Sequence, residues 1–191
     1  MSTGRKKLER DLVILTAMAE GMADYLKSDI LFGKLSDNSM PMLTLGGYLM
    51  REHRLLSLTD LLSSAEQAQL ETAVWQFNSA LIEKIIRLET KGRKELDARL
   101  RQMEEYLRDL QNKKGAGMNY ETAVEPRVMI AALIHKLEMA PYQLDERVLQ
   151  QVDLLDRHLR RRWSPGDFIW PEEWQPAYPQ IDYWWLYGRP T

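Results

Sequence analysis

The stretch LETAVWQFNSALIEKIIRLETKGRKELDARLRQMEEYLRDL, residues 70–110, decides the fold. Leu70, Val74, Phe77, Leu81, Ile85 and Leu88 recur at steps of three and four, the spacing of one helix face. Leu96, Leu100, Met103, Leu107 and Leu110 form a second such stripe, and the two are joined by steps of four through Gly92. No cluster of turn formers separates them, so the pattern reads as one helix over 65–112. At 1.5 Å per residue that helix would be about 70 Å long, with Gly92 as a kink or a close packing point.

The flanking sequence is helical as well. Leu8, Leu12, Leu15, Ala19, Met22, Leu26 and Ile30 lie on one face of a helix predicted over 4–31. Residues 33–43 hold Gly33, Ser36, Asp37, Asn38, Ser39 and Pro41 and read as a loop. A second helix is expected over 43–62. Ser64 and Gln67 have the spacing of a capping box and are expected to start the third. Lys113 to Gly117 reads as the turn that ends it. Pro126 opens a fourth helix that Pro141 stops, and Leu144, Val148, Val152, Leu155 and Leu159 mark a fifth over 142–162. The sequence therefore predicts an all-α fold: an antiparallel helical bundle of about five helices, one of them very long.

At Trp163 the composition changes. Residues 163–191 hold five of the six tryptophans and five of the eight prolines. Prolines favour extended backbone, while aromatic rings of this size bury on the order of 150–250 Å² each and must dock. The chain divides into a bundle, 1–162, and an extended Trp- and Pro-rich strap, 163–191, packed on the bundle or on a partner.

Composition excludes several function classes. With 26 Lys and Arg against 28 Asp and Glu the net charge is −2, which argues against a nucleic-acid partner. The absence of cysteine removes disulfides, a thiol nucleophile and thiolate metal ligation. No apolar run approaches the roughly 20 residues of a membrane span. The basic start and Leu12–Ala19 imitate a signal peptide, but Glu9, Arg10 and Asp11 interrupt it, and a cytoplasmic protein is expected. Phosphate-loop, dinucleotide, serine-elbow and His-Glu-x-x-His motifs are absent.

Three candidate constellations remain. The stripe of Leu96, Leu100, Met103 and Leu107, on a helix longer than its neighbours, together with Trp170, Trp174, Trp184 and Trp185, suggests a non-enzymatic interaction or scaffold protein that self-associates as a homodimer. Leu100→Asp or Leu107→Asp is then expected to lower the oligomeric state and spare the helices. A reading from another class is a metal-dependent bundle enzyme, with His53, His135 and Glu138 as ligands to zinc or iron and Glu52 as ligand or base. The Glu-x-x-His pair of di-metal bundles is missing, since Met50, Ala132 and Leu155 precede the three histidines by three. A later His-x-x-x-His is missing too, because Met139 stands four after His135. Finally, Arg157, Arg160, Arg161 and Arg162 read either as an anion site or as cations that complement a helix C-terminus and pair with the acids of the tail. No cofactor is expected under the interaction reading.

Overall fold

The structure, a computed structural model, describes residues 2–82, 84–112 and 119–191. It is dominated by α-helix: α1 (Thr3–Lys27), α2 (Leu45–Ser57), α3 (Ser64–Leu81), α4 (Ile85–Gln111), α5 (Tyr120–Ala123), α6 (Glu125–Glu138) and α7 (Glu146–Arg160). None of these helices is long and apolar enough to cross a membrane. α2 lies at the centre and touches α1, α3, α4, α6 and the tail.

The 65–112 segment is not one rod. Gly92 lies in unbroken helix, its α-carbon face against Leu137 of α6, where an added Cβ would sit 3.3 Å from Leu137 Cδ1. The break comes earlier, at Lys84, whose φ of −133° leaves the helical region and whose N–H turns back to the Leu81 carbonyl. Its physical cause is that the two stripes bury against different partners: α3 packs chiefly on α1, α4 on α6 and α7. A straight helix cannot satisfy both. Ile85, placed on the buried stripe by its spacing, is exposed instead. The long member is therefore α4, at 27 residues only slightly longer than the 25 of α1.

Local chemistry moves the other boundaries. α1 ends at Lys27 because the Ser28 hydroxyl donates to the Tyr25 carbonyl and its backbone turns extended. The capping box is Ser63 and Glu66, one residue before the predicted pair: the Ser63 Oγ accepts from Glu66 N–H, and the Glu66 carboxylate accepts from Ser63 N–H at 2.7 Å. Glu66 wins the position because its charge also pairs with Arg5 of α1, while Gln67 donates to the Thr59 and Leu62 carbonyls. α6 carries Pro126 in its first turn, and α7 is capped by Asp145. The turn predicted at 113–117 lies outside the described residues.

The tail is more compact than an extended strap. β1 (Trp163–Phe168) and β2 (Tyr187–Pro190) pair antiparallel, from Trp163 with Pro190 to Phe168 with Tyr187. Between them lie two 3₁₀ turns, Glu172–Ala177 and Trp184–Leu186. Gly188 makes the pairing possible: its φ is +138°, and a Cβ there would sit 2.2 Å from the Ser164 carbonyl oxygen. The tail docks on its own bundle, with Trp170, Trp174, Tyr178 and Trp185 buried.

Candidate functional site

Adjacent residues of α2 serve two different neighbourhoods, as the 100° step of a helix requires. Arg51 and Arg54 turn to α1 and share Asp11: Arg51 Nε donates to it at 3.1 Å, and Arg54 Nη1 donates to its other oxygen. All three are buried. Arg54 also donates to the Tyr178 hydroxyl at 3.0 Å and has Trp170 and Trp174 at 4.7 and 4.0 Å from its guanidinium carbon. Among the described residues its Nη2 has no hydrogen-bond partner, and the π faces supply the electrostatic compensation.

The same device recurs along the tail. Arg127 of α6 pairs bidentately with Asp156 of α7 at 2.8 Å and lies 3.6 Å from the Trp185 centroid. Arg160 of α7 lies 3.8 Å from that of Trp184. Indole N–H groups finish the seal, Trp174 to the Gly4 carbonyl and Trp170 to that of Glu121. The tryptophans expected to meet a partner are thus occupied within the chain, and Trp184 alone of the four is half-buried.

Leu96, Leu100, Met103 and Leu107 do not form an exposed face either. They are at most 6% exposed and belong to the core beneath α6 and α7. α4, at 27 residues, still outruns α6 and α7, at 14 and 15, and its length is taken up by packing on both.

Glu52 and His53 face the other way, toward α6 and the tail, and line a cavity of about 580 Å³. His135 and Lys136 of α6 and Asp182 and Tyr183 of the tail complete its polar wall; Leu49, Ala131, Ala132 and Pro176 supply apolar surface. His53 Nε2 donates to the Ala177 carbonyl at 2.7 Å, which leaves Nδ1 as the acceptor of that ring. Burial lowers its pKa, against the pull of the Ala177 carbonyl. Glu52 accepts from the Tyr48 hydroxyl at 3.2 Å. Burial pushes its pKa up, opposed by Lys136 and by that hydroxyl. Two half-buried titratable side chains thus share one wall of the cavity.

The cavity gathers only part of the ligand set suggested for a metal. It brings together Glu52, His53 and His135, but Glu138 is exposed and does not line it. Among the described residues no group of three or more His, Asp or Glu side chains can hold a metal ion.

The arginines at the end of α7 are divided among separate tasks. Arg157 pairs with Asp153 at 3.0 Å and Arg160 stacks on Trp184. Arg161 and Arg162 line a cavity of about 640 Å³ with Arg108 and His158. That cavity lies at the carboxyl ends of α4 and α7, whose negative partial charge these cations complement. Among the described residues the four acids of the tail make no salt bridge with them.

Sequence reasoning missed Asp11, Arg51, Arg54, Glu95 and Arg127, all buried. Glu95 of α4 accepts from Gly46 N–H at 2.9 Å at the start of α2 and pairs with Arg99 at 3.1 Å. A signal was present: Asp11 sits three after Leu8 and four before Leu15, and Arg51 three after Tyr48 and four before Leu55, each on an apolar face. Comparison of the chain with protein-family models, with curated proteins and with solved structures finds no match to any of them.

Proposed function

We propose that this chain is a non-enzymatic helical interaction protein that self-associates, through α3 rather than through α4 or the tail. The observation that carries this reading is the outer face of α3. Ala65, Ala68, Thr72, Trp75, Ser79 and Ile82 are all exposed and recur at alternating steps of three and four, the seam spacing of a two-helix contact. Trp75 is 69% and Ile82 75% exposed. Solvent-facing positions of this size and spacing have no role in the monomer's own core.

A second copy fits this face. Residues equidistant from Phe77 pair large with small when two α3 helices meet antiparallel: Trp75 with Ser79, and Ile82 with Thr72. Ile86, 80% exposed, lies in α4 beyond the break at Lys84. A two-fold contact of this kind is isologous and closes at a dimer. At the dyad itself the flanking Gln76 and Asn78 are uncharged, while Glu71, further along the seam, is exposed and charged.

Sedimentation equilibrium across the micromolar range tests the reading. The parent protein is expected to dimerise and Trp75→Glu to remain a monomer with unchanged helical circular dichroism. A parent chain that stays monomeric at the highest concentration reached overturns it.

A further inference from the structure

The cavity between α2, α6 and the tail lies apart from the α3 face, and its chemistry points to a ligand of its own. Its volume of about 580 Å³ falls in the range of roughly 300–1,000 Å³ seen for small-molecule sites. The Glu52 carboxylate is half-buried, accepts one hydrogen bond, from Tyr48, and forms no salt bridge among the described residues. A carboxylate drawn out of water with acceptor capacity unused calls for a donor-rich, positively charged partner. Asp182 adds a second carboxylate, and His53 is held in place by donating its Nε2 proton to the Ala177 carbonyl.

The opposing charge is Lys136. Its Nζ stands 5.8 Å from the Phe77 ring and 5.9 Å from that of Tyr142, leaning on aromatic surface and out of salt-bridge range of Glu52. The consecutive alanines 131 and 132 of α6 leave open the space that larger side chains would fill, and Leu49 and Pro176 line it with apolar surface.

We propose that this cavity binds a small organic cation, a primary amine on an apolar body, with its ammonium group on Glu52 and its body against the alanine-lined wall of α6. Charge-assisted hydrogen bonds from the ammonium would satisfy the acceptor positions that Tyr48 leaves free. The site is independent of self-association and is tested in the Trp75→Glu background as well as in the parent chain.

Isothermal titration with phenethylamine, phenethyl alcohol and phenylacetate reads the charge preference directly. The amine is expected to bind at least about tenfold tighter than either analogue, a difference of about 1.4 kcal/mol. Glu52→Gln is expected to lose that same factor for the amine alone. Ala132→Leu, which fills the cavity and keeps the carboxylate, is expected to abolish binding of all three, and it carries the test should Glu52→Gln fail to fold. Phenylacetate binding as tightly as the amine, amine binding unchanged in Ala132→Leu, or no heat with the amine at millimolar concentration overturns the proposal.

Discussion

The guanidinium carbon of Arg54 stands 4.0 Å from the ring centroid of Trp174, joining the middle of the bundle to a segment 120 residues later in the chain. The same guanidinium neutralises Asp11 and donates to Tyr178, so α1, α2 and the tail meet in one side chain. Arg54→Ala would strand a buried carboxylate with Arg51 alone and remove the cation from between the rings. Breaking a buried pair in this way costs about 3–5 kcal/mol. Arg54→Lys is expected to recover little, because a point charge cannot serve Asp11, Tyr178 and two π faces at once. Urea unfolding followed by tryptophan fluorescence measures both; a loss below about 1 kcal/mol for Arg54→Ala would show that the tail docks without it.

Arg5 and Ser63 together hold the Glu66 carboxyl down at about 2, well below the ordinary 4.5, with the Arg5 hydrogen bond as the largest cause. A group whose pKa falls on folding contributes stability above its unfolded value and loses it as pH falls toward the folded one. The contribution of Glu66 is therefore intact above pH 4.5 and lost progressively toward about 2. Glu66→Gln keeps the capping box and loses the charge. Its melting temperature is expected to lie below the parent's at neutral pH and to converge with it near pH 2; parallel curves over that window would contradict the assignment.

Gly46 reverses an ordinary rule. A Gly→Ala change inside a helix gains roughly 1 kcal/mol of propensity. Here the new methyl would lie 2.7 Å from Glu95 Oε1 and 3.1 Å from atoms of both Leu133 and Met129. Overpacking costs about 1–3 kcal/mol, and displacing Glu95 also weakens its bond to the Gly46 N–H and its pairing with Arg99. Gly46→Ala is expected to destabilise by about 2 kcal/mol, the packing cost outweighing the propensity gain. Thermal unfolding checks the sign, and a stabilised variant would mean that α4 yields freely.

Helix content and the seams of α1, α4 and α7 were legible because apolar residues at steps of three and four have few other solutions. The break at Lys84 was not, since nothing local marks it: residues 81–85 hold no glycine, proline or other turn former, and only the choice of different packing partners redirects the chain. The folded tail was illegible for a similar reason. Proline and tryptophan signal that a segment cannot be an ordinary helix or stay loose, but the arginines that receive the rings lie on three other helices. In the cavity, His53, Glu52 and His135 were singled out by residue type and do come together, whereas Lys136, Asp182 and Tyr183 join them through tertiary contacts alone.

Leu100 and Trp75 separate folding from association. Spacing alone assigned Leu100 to an interface, with Leu100→Asp expected to dissolve an oligomer and spare the helices. At 4% exposure it belongs to the chain's own core, so an aspartate there buries an unpaired charge. Leu100→Asp is now expected to cost upward of about 4 kcal/mol and to lose helical circular dichroism and cooperative unfolding together. Trp75, 69% exposed, should behave in the opposite way: Trp75→Glu changes stability by no more than about 0.5 kcal/mol at a concentration where the chain is monomeric. Circular dichroism and sedimentation on the two variants read this directly. A folded, monomeric Leu100→Asp beside a dimeric Trp75→Glu would return the interface to α4 and remove it from α3.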